Sequence, residues 1–332
     1  MELDVVFLGT SGSMPTARRA LSATLVRRGG DRLLFDCAEG TQRQLLRSDV
    51  GLVELEEVFL THFHADHYLG LPGMLKTFAL RGREIPLTVY GPRGLGELFS
   101  TLRRIFGKLT YSVALVEVEP GESLPRDGYR VETFAAAHGV TAVGYRLVED
   151  DRPGRFDVAE ADRLGVPDGR ERGLLQRGET VTLADGRVVA SEDVLGEARA
   201  GRIVVLTGDT APAASVVEAA TGANVLVHEA TFLADERERA RETGHSTAGE
   251  AALVAREAGV KLLALTHVST RYFGHQVVEE ATQLFPQTVV PRDFDVITIP
   301  FPERGDPELV RSGARTRRTS ADAAATLAEP IL

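Results

Sequence analysis

The sequence predicts an α/β fold, and three observations carry that reading. Short apolar segments of strand character recur along the chain, beginning with 4–8, 23–26, 33–35 and 57–60, and stretches of helical pattern stand between the later ones. Four further apolar segments each run into a side chain of metal-ligand type: 129–134 into His138-Gly139, 202–207 into Gly208-Asp209-Thr210, 225–227 into His228-Glu229, and 262–266 into His267. Parallel and mixed sheets present functional groups at their strand ends, so each strand would bring one donor to a common rim. The third observation is Leu60-Thr61-His62-Phe63-His64-Ala65-Asp66-His67, which packs three imidazoles and a carboxylate into six consecutive positions where a strand gives way to a loop.

Few structural needs explain that density. Neutral imidazole and carboxylate are the ligands that a borderline divalent ion such as zinc takes from protein, at roughly 2.0–2.2 Å. One compact loop cannot place all four donors on a single ion without strain. His62 and His64 could therefore hold one metal while Asp66 and His67 hold another.

Taken in order, the first strand ends in the loop Gly9-Thr10-Ser11-Gly12-Ser13-Met14-Pro15, whose glycines allow close backbone approach although no phosphate-binding fingerprint is complete. Asp36-Cys37-Ala38-Glu39-Gly40-Thr41-Gln42 leads into a helix over about 42–48, and the histidine-rich stretch follows. Helices over about 69–80 and 94–106 lie in a segment, 68–116, with seven basic residues (Lys76, Arg81, Arg83, Arg93, Arg103, Arg104, Lys108) against two acidic ones (Glu84, Glu97). That imbalance could guide a phosphate-rich substrate toward the metals. Further on, Ser246 or Thr247 reads as the N-cap of a helix running to about 258, and its positive end would let His245 meet a phosphate. His275 reads as an ordinary polar residue at the start of the next helix. Residues 148–201 form a Gly-, Pro- and charge-rich insert, read as a projecting arm with little core of its own. The chain from 303 to 332 turns polar and small and reads as a disordered tail.

Composition bounds the function. The chain of 332 residues, 43% of them apolar, suits one large α/β domain or two small ones. Its net charge of -10 does not by itself suggest a polyanionic partner. A single cysteine, Cys37, fits a reducing compartment. The N-terminus lacks a basic leader and no stretch approaches the roughly 20 apolar residues of a membrane span, so the expected location is the cytoplasm.

His62-Phe63-His64-Ala65-Asp66-His67, with His138, Asp209 and His267 following in order, resembles the signature of the metallo-β-lactamase superfamily. Within it the chain is similar to the ribonuclease Z family of tRNA 3′-processing endonucleases, in their short form. Phe35-Asp36-Cys37-Ala38-Glu39-Gly40-Thr41-Gln42, Leu71-Pro72-Gly73, Tyr90-Gly91-Pro92, Gly208-Asp209-Thr210, His228-Glu229-Ala230-Thr231 and His245-Ser246-Thr247 carry that likeness, which covers roughly residues 1–300.

The resemblance implies a four-layer αββα sandwich over 1–302 and two zinc ions per subunit. His62, His64 and His138 would hold one, Asp66, His67 and His267 the other, and Asp209 would bridge them. Asp66 would also accept the proton of the attacking water. His245, supported by Glu229, would stabilise the phosphate or protonate the leaving 3′-oxygen. The implied partner is precursor tRNA, held by the arm of a homodimer. Here the arm lacks the family's Gly-Pro pair, reading Gly165-Val166-Pro167-Asp168-Gly169, and Arg170, Arg172 and Arg177 are left to reach phosphates. A metal-dependent hydrolase of small esters or lactones would share the ligands but have little use for the basic segment or the arm. A di-iron redox member would carry a different ligand pattern, and a non-catalytic module would have lost ligands.

Overall fold

The computed structural model describes residues 1–52 and 55–312. They fall into a larger unit, residues 1–125, 131–147 and 203 onward, and a smaller one, residues 126–130 and 148–202.

The larger unit opens with β1 (Leu3–Gly9), β2 (Ala23–Arg28) and β3 (Asp31–Phe35), an antiparallel run that turns between β2 and β3 at Gly29, where φ is 53°. Then come α1 (Thr41–Arg47), β4 (Glu57–Phe59), the short α2 (Ala65–Tyr68), α3 (Gly70–Leu80), β5 (Leu87–Pro92), α4 (Leu95–Phe106) and β6 (Val113–Val118), with β3 to β6 mutually parallel. Next are β7 (Ser123–Arg126), β8 (Tyr129–Ala135) and β9 (Val143–Glu149). The smaller unit contributes α5 (Val158–Leu164), α6 (Arg170–Gln176) and the hairpin β10 (Val181–Thr182) and β11 (Val188–Val189). The chain then runs through β12 (Ile203–Leu206), α7 (Ala214–Ala220), β13 (Val225–Glu229), α8 (Arg237–Thr243), α9 (Ala248–Ala258), β14 (Leu262–Thr266), α10 (Gly274–Thr282), β15 (Thr288–Val289), β16 (Val296–Thr298) and β17 (Glu308–Val310).

Two mixed sheets result, ordered β17-β16-β1-β2-β3-β4-β5-β6 and β15-β14-β13-β12-β9-β8-β7. Successive side chains of a strand face opposite ways, and in these strands both faces are apolar. Leu34, Val58 and Val89 pack with Leu71, Met74 and Leu75 of α3 on the outer face of the first sheet. Phe35, Phe59 and Tyr90 point inward, stacked at 4.9 and 4.6 Å, and Tyr145 of the second sheet meets Phe35 and Phe59 at 5.5 and 5.3 Å. Val205, Leu226 and Leu263 of that sheet pack outward against Val216 of α7, Ala251 and Ala255 of α9 and Val277 of α10. Helices, sheet, sheet and helices make four layers, as the family resemblance implies.

Two expectations need correcting. The insert was expected to have little core, yet Ala161, Val166, Leu175, Val181, Leu183, Val189 and Val194 form a buried cluster of its own. Arg152 and Arg199 exchange backbone hydrogen bonds of 2.8 Å in both directions, so the chain enters and leaves this unit side by side. The tail was expected from 303, but β17 pairs with β16 in the register Val296↔Val310, and Arg311 Nη1 lies 2.5 Å from Asp295 Oδ2. Backbone pairing does not depend on the polar composition that suggested disorder. The rest of that expected tail, 313–332, lies outside the described residues. Among the described residues no helix is long and apolar enough to cross a membrane.

Candidate metal centre

Each side chain of the two donor sets sits beyond the end of a strand of the larger unit. His62 lies three residues past β4 and is fully buried, while α2 carries Asp66 and His67 in its single turn. His64 Nδ1 lies 3.0 Å from His62 Nε2 and 3.1 Å from His138 Nε2. Asp209 Oδ2 stands 3.7 Å from His62 Nε2, 3.2 Å from His67 Nε2 and 3.4 Å from His267 Nε2. Asp66 Oδ2 is 3.3 Å from His267 Nε2 and 3.9 Å from His67 Nε2. Seven side chains from four strand ends thus form two donor sets with Asp209 between them.

The donors fit a divalent metal. Ligands bonded to zinc at roughly 2.0–2.1 Å in a tetrahedron stand about 3.3 Å apart, close to the separations found here. Asp209 Oδ1 is buried without a hydrogen-bond partner among the described residues, which a native fold rarely tolerates. Burial, then the charge at His67, drives the His62 pKa down to about 2, so its ring is neutral and its lone pair free to ligate. Burial opposes charge on His67 as well, but the Asp209 and Asp36 carboxylates outweigh it and raise its pKa well above the ordinary value. Carboxylates that hold a proton so firmly favour a cation at the same point.

The other ring nitrogens are held in turn. His62 Nδ1 meets Thr61 Oγ1 at 3.0 Å, His67 Nδ1 meets Asp36 Oδ2 at 2.8 Å, His138 Nδ1 meets the Gly244 carbonyl at 2.8 Å, and His267 Nδ1 meets Thr231 Oγ1 at 2.8 Å. Such partners fix ring orientation and raise ligand basicity. The sequence reading missed Asp36 and Thr61 in this role. Asp36 accepts from both the amide and the hydroxyl of Thr61, at 2.9 and 3.0–3.1 Å, and so binds two ligand-bearing segments at once. The available signal was that Asp36 directly ends the apolar run 33–35, as the other donors end theirs; in the structure it takes a left-handed φ of 58°, rare for a residue other than glycine. Asp36→Asn is expected to weaken divalent-metal binding about 10–100-fold with the fold retained; isothermal titration of metal-free protein checks it, and an unchanged affinity would refute the orienting role.

Glu229 and His245 form the second working group. Glu229 Oε1 accepts from His245 Nδ1 at 2.7 Å and from the Thr210 amide at 3.0 Å, while Oε2 accepts from the Thr231 hydroxyl and amide at 2.7 and 3.1 Å. Burial works against charge on His245, but the Glu229 carboxylate outweighs it and raises its pKa to about 9. His245 Nδ1 also comes within 3.9 Å of Asp209 Oδ2, yet Glu229 occupies that nitrogen and keeps it from ligation. Thr247 caps α9 in a reciprocal pair with Glu250, as its sequence suggests, and this holds His245 just outside the helix.

The loop 9–15 is more than a turn. The Ser13 amide donates to Asp66 Oδ2 at 2.8 Å, and a Cβ on Gly12 would fall 2.5 Å from His267 Nδ1, so only glycine fits there. Gly208, at φ 62°, leaves room for Thr61 in the same way.

Other candidates are not brought to the site. His228 is buried on β13, where alternation turns it away from its neighbour Glu229. His275 stacks on Phe273. Arg83 is committed to the Ile85 and Pro86 carbonyls and to the ring of Phe78, whereas Lys76, Arg81, Arg93, Arg103, Arg104 and Lys108 remain exposed. In the smaller unit Arg172 is tied down by Asp162, Asp168 and the Val166 carbonyl, which removes it as a ready phosphate contact. Arg177 pairs with Glu179 at the surface, and Arg170 is exposed.

A profile of the metallo-β-lactamase superfamily matches residues 18–267. A ribonuclease Z from Halobacterium salinarum is 48% identical over 307 residues, covering 91% of this chain and 99% of the relative. One from Myxococcus xanthus is 51% identical over 271 residues, 81% of this chain and 88% of the relative. The chain belongs to the ribonuclease Z family. Among solved structures, human tRNase Z, short form, superposes with a TM-score of 0.66 at 27% identity, covering 90% of this chain and 99% of that one. Membership of the superfamily implies a divalent metal, and the two donor sets of this ribonuclease Z family member are where it would bind.

Proposed function

We propose that this chain is a zinc-dependent endoribonuclease that removes the 3′ trailer from precursor tRNA, leaving a 3′-hydroxyl on the tRNA and a 5′-phosphate on the trailer. The observation that carries the proposal is the pair of donor sets sharing Asp209 beside a buried Glu229–His245 pair. His62, His64 and His138 would hold one zinc, Asp66, His67 and His267 the other, with Asp209 contributing to both. When bound, the metals supply Lewis-acid activation of water and neutralise charge building on the phosphoryl oxygens.

The chain's own groups do the rest. Burial acts to raise the Asp66 carboxyl, but the hydrogen bond with His267 and the charge of His67 outweigh it and hold it below the ordinary range. An ionised Asp66 accepts the proton of the attacking water. Glu229 fixes His245 through Nδ1, which leaves Nε2–H to protonate the departing 3′-oxygen. Exposed Lys76, Arg93, Arg103 and Arg104 present a basic surface to the acceptor stem, a feature that favours RNA over a small ester or lactone. The proposal includes a cytoplasmic homodimer in which one subunit's arm holds the tRNA cut by the other, with Arg170 and Arg177 as its phosphate contacts.

Incubating the zinc-loaded protein with a 3′-extended precursor tRNA and mapping the ends tests the reading directly. Cleavage at the trailer junction is expected, and turnover of a lactone without cleavage of the precursor would replace it with the alternative. The paired ends at Arg152 and Arg199 allow the insert between them to be replaced by a short linker. That variant should bind precursor tRNA at least about tenfold more weakly, as loss of phosphate contacts requires, yet still hydrolyse a small phosphodiester. Equal loss of both activities would deny the arm a separate role.

A further inference from the structure

We propose that Asp293, a residue on no strand or helix and remote in sequence from every ligand, is a positioning residue for the hydrolytic site. Its carboxylate spans the base of the loop between β1 and β2: Oδ1 accepts from the Thr10 hydroxyl at 2.8 Å, and Oδ2 from the Ala20 amide at 2.7 Å and Gln44 Nε2 at 3.0 Å. Arg19 adds a second tie, its Nη1 donating to Thr10 Oγ1 at 2.6 Å and to the Pro291 carbonyl at 2.8 Å. Both ends of the loop are therefore pinned to one point.

That point is itself rigid. The Asp295 carbonyl accepts from the Phe7 amide of β1, and Phe294, at φ 70°, donates its amide to the Phe7 carbonyl. Asp295 also takes the Arg292 amide and the Arg311 guanidinium. A left-handed conformation at Phe294 persists only where the surroundings over-determine it.

The loop's far end touches the chemistry. Backbone bonds between Gly12 and Val268 and between Val268 and Thr10 stitch it beside His267, Gly12 packs on the His267 ring, and Ser13, at φ 58°, gives its amide to Asp66 Oδ2. Asp66 has two carboxylate oxygens and a free torsion, and this amide is a fixed donor that selects which oxygen faces the donor set. Asp293 acts on Asp66 through the loop: without it the Thr10 and Ala20 ends lose their shared acceptor and the strained Ser13 turn relaxes. The inference rests on Asp66 being a metal ligand.

Hydrogen–deuterium exchange on metal-free protein, zinc titration and kinetics on a 3′-extended precursor tRNA test it together. In Asp293→Ala, exchange across residues 11–15 should rise at least tenfold while residues 143–147 keep wild-type protection. Zinc affinity and kcat should each fall about 10–100-fold, with KM for the precursor within about twofold of wild type. Thr10→Val, which removes one hydroxyl and leaves the carboxylate, should move the same readouts the same way by about threefold to tenfold, as one hydrogen bond requires. Wild-type exchange in the loop, an unchanged kcat, or a change confined to KM would overturn the proposal. If Asp293→Ala does not fold, an unaffected Thr10→Val protein overturns it equally. Wild-type protein that takes up no zinc would sink the metal reading, while the exchange result would still judge the link from Asp293 to Ser13.

Discussion

Asp66→Ala is expected to lower kcat on precursor tRNA by about 10³-fold or more while leaving tRNA affinity within about threefold of wild type, because one carboxylate supplies both proton acceptance and charge stabilisation. Asp66 Oδ2 meets the Ser13 amide, His267 Nε2 and His67 Nε2 together. Its removal takes one oxygen donor from the set otherwise made by His67, His267 and the shared Asp209, so ion affinity at that set should fall as well. The exposed basic groups proposed to meet the RNA backbone do not depend on that oxygen. Single-turnover kinetics beside a filter-binding isotherm would separate the two quantities. A variant with near wild-type turnover would defeat the assigned mechanism.

His245→Ala is expected to cost about 10²-fold or more in kcat on precursor tRNA, the usual contribution of a placed general acid. The same variant should lose less than about tenfold on a phosphodiester with a p-nitrophenolate leaving group, which departs without a proton. Glu229→Gln should follow the same pattern more weakly. Its amide would set an N–H against one of four donors now pointing at the carboxylate, from His245, Thr210 and Thr231. Equal losses on both substrates would assign His245 to metal or phosphate binding instead of proton delivery.

The legible part of the site was the part that local spacing controls. His62, His64, Asp66 and His67 lie within six positions, and their separation into two donor sets followed from the reach of one loop. His138, Asp209 and His267 were visible because each ends an apolar run, and the α9 cap was narrowed to Ser246 or Thr247 because both precede a helical pattern. Asp36, Thr61, Ser13 and Asp293 were not, since each acts through a hydrogen bond to a distant or differently oriented group that no periodicity announces. Charge was read least well: Arg172 and Arg83 counted as free cations, but folding commits both to nearby carboxylates, carbonyls or rings.

The sequence by itself determined the α/β class, the donors and the order in which strands deliver them, because hydrophobic alternation and ligand chemistry are properties of neighbouring residues. Only the tertiary structure decided which nitrogen of each imidazole faces the centre, that Thr210 and Thr231 hold Glu229 in place beside His245, and that β17 closes the first sheet where a tail was expected. Those outcomes depend on angles and contacts between segments up to nearly three hundred residues apart, as Thr10 and Asp293 are. A bond of that kind exists only once β16, from the end of the chain, has paired with β1.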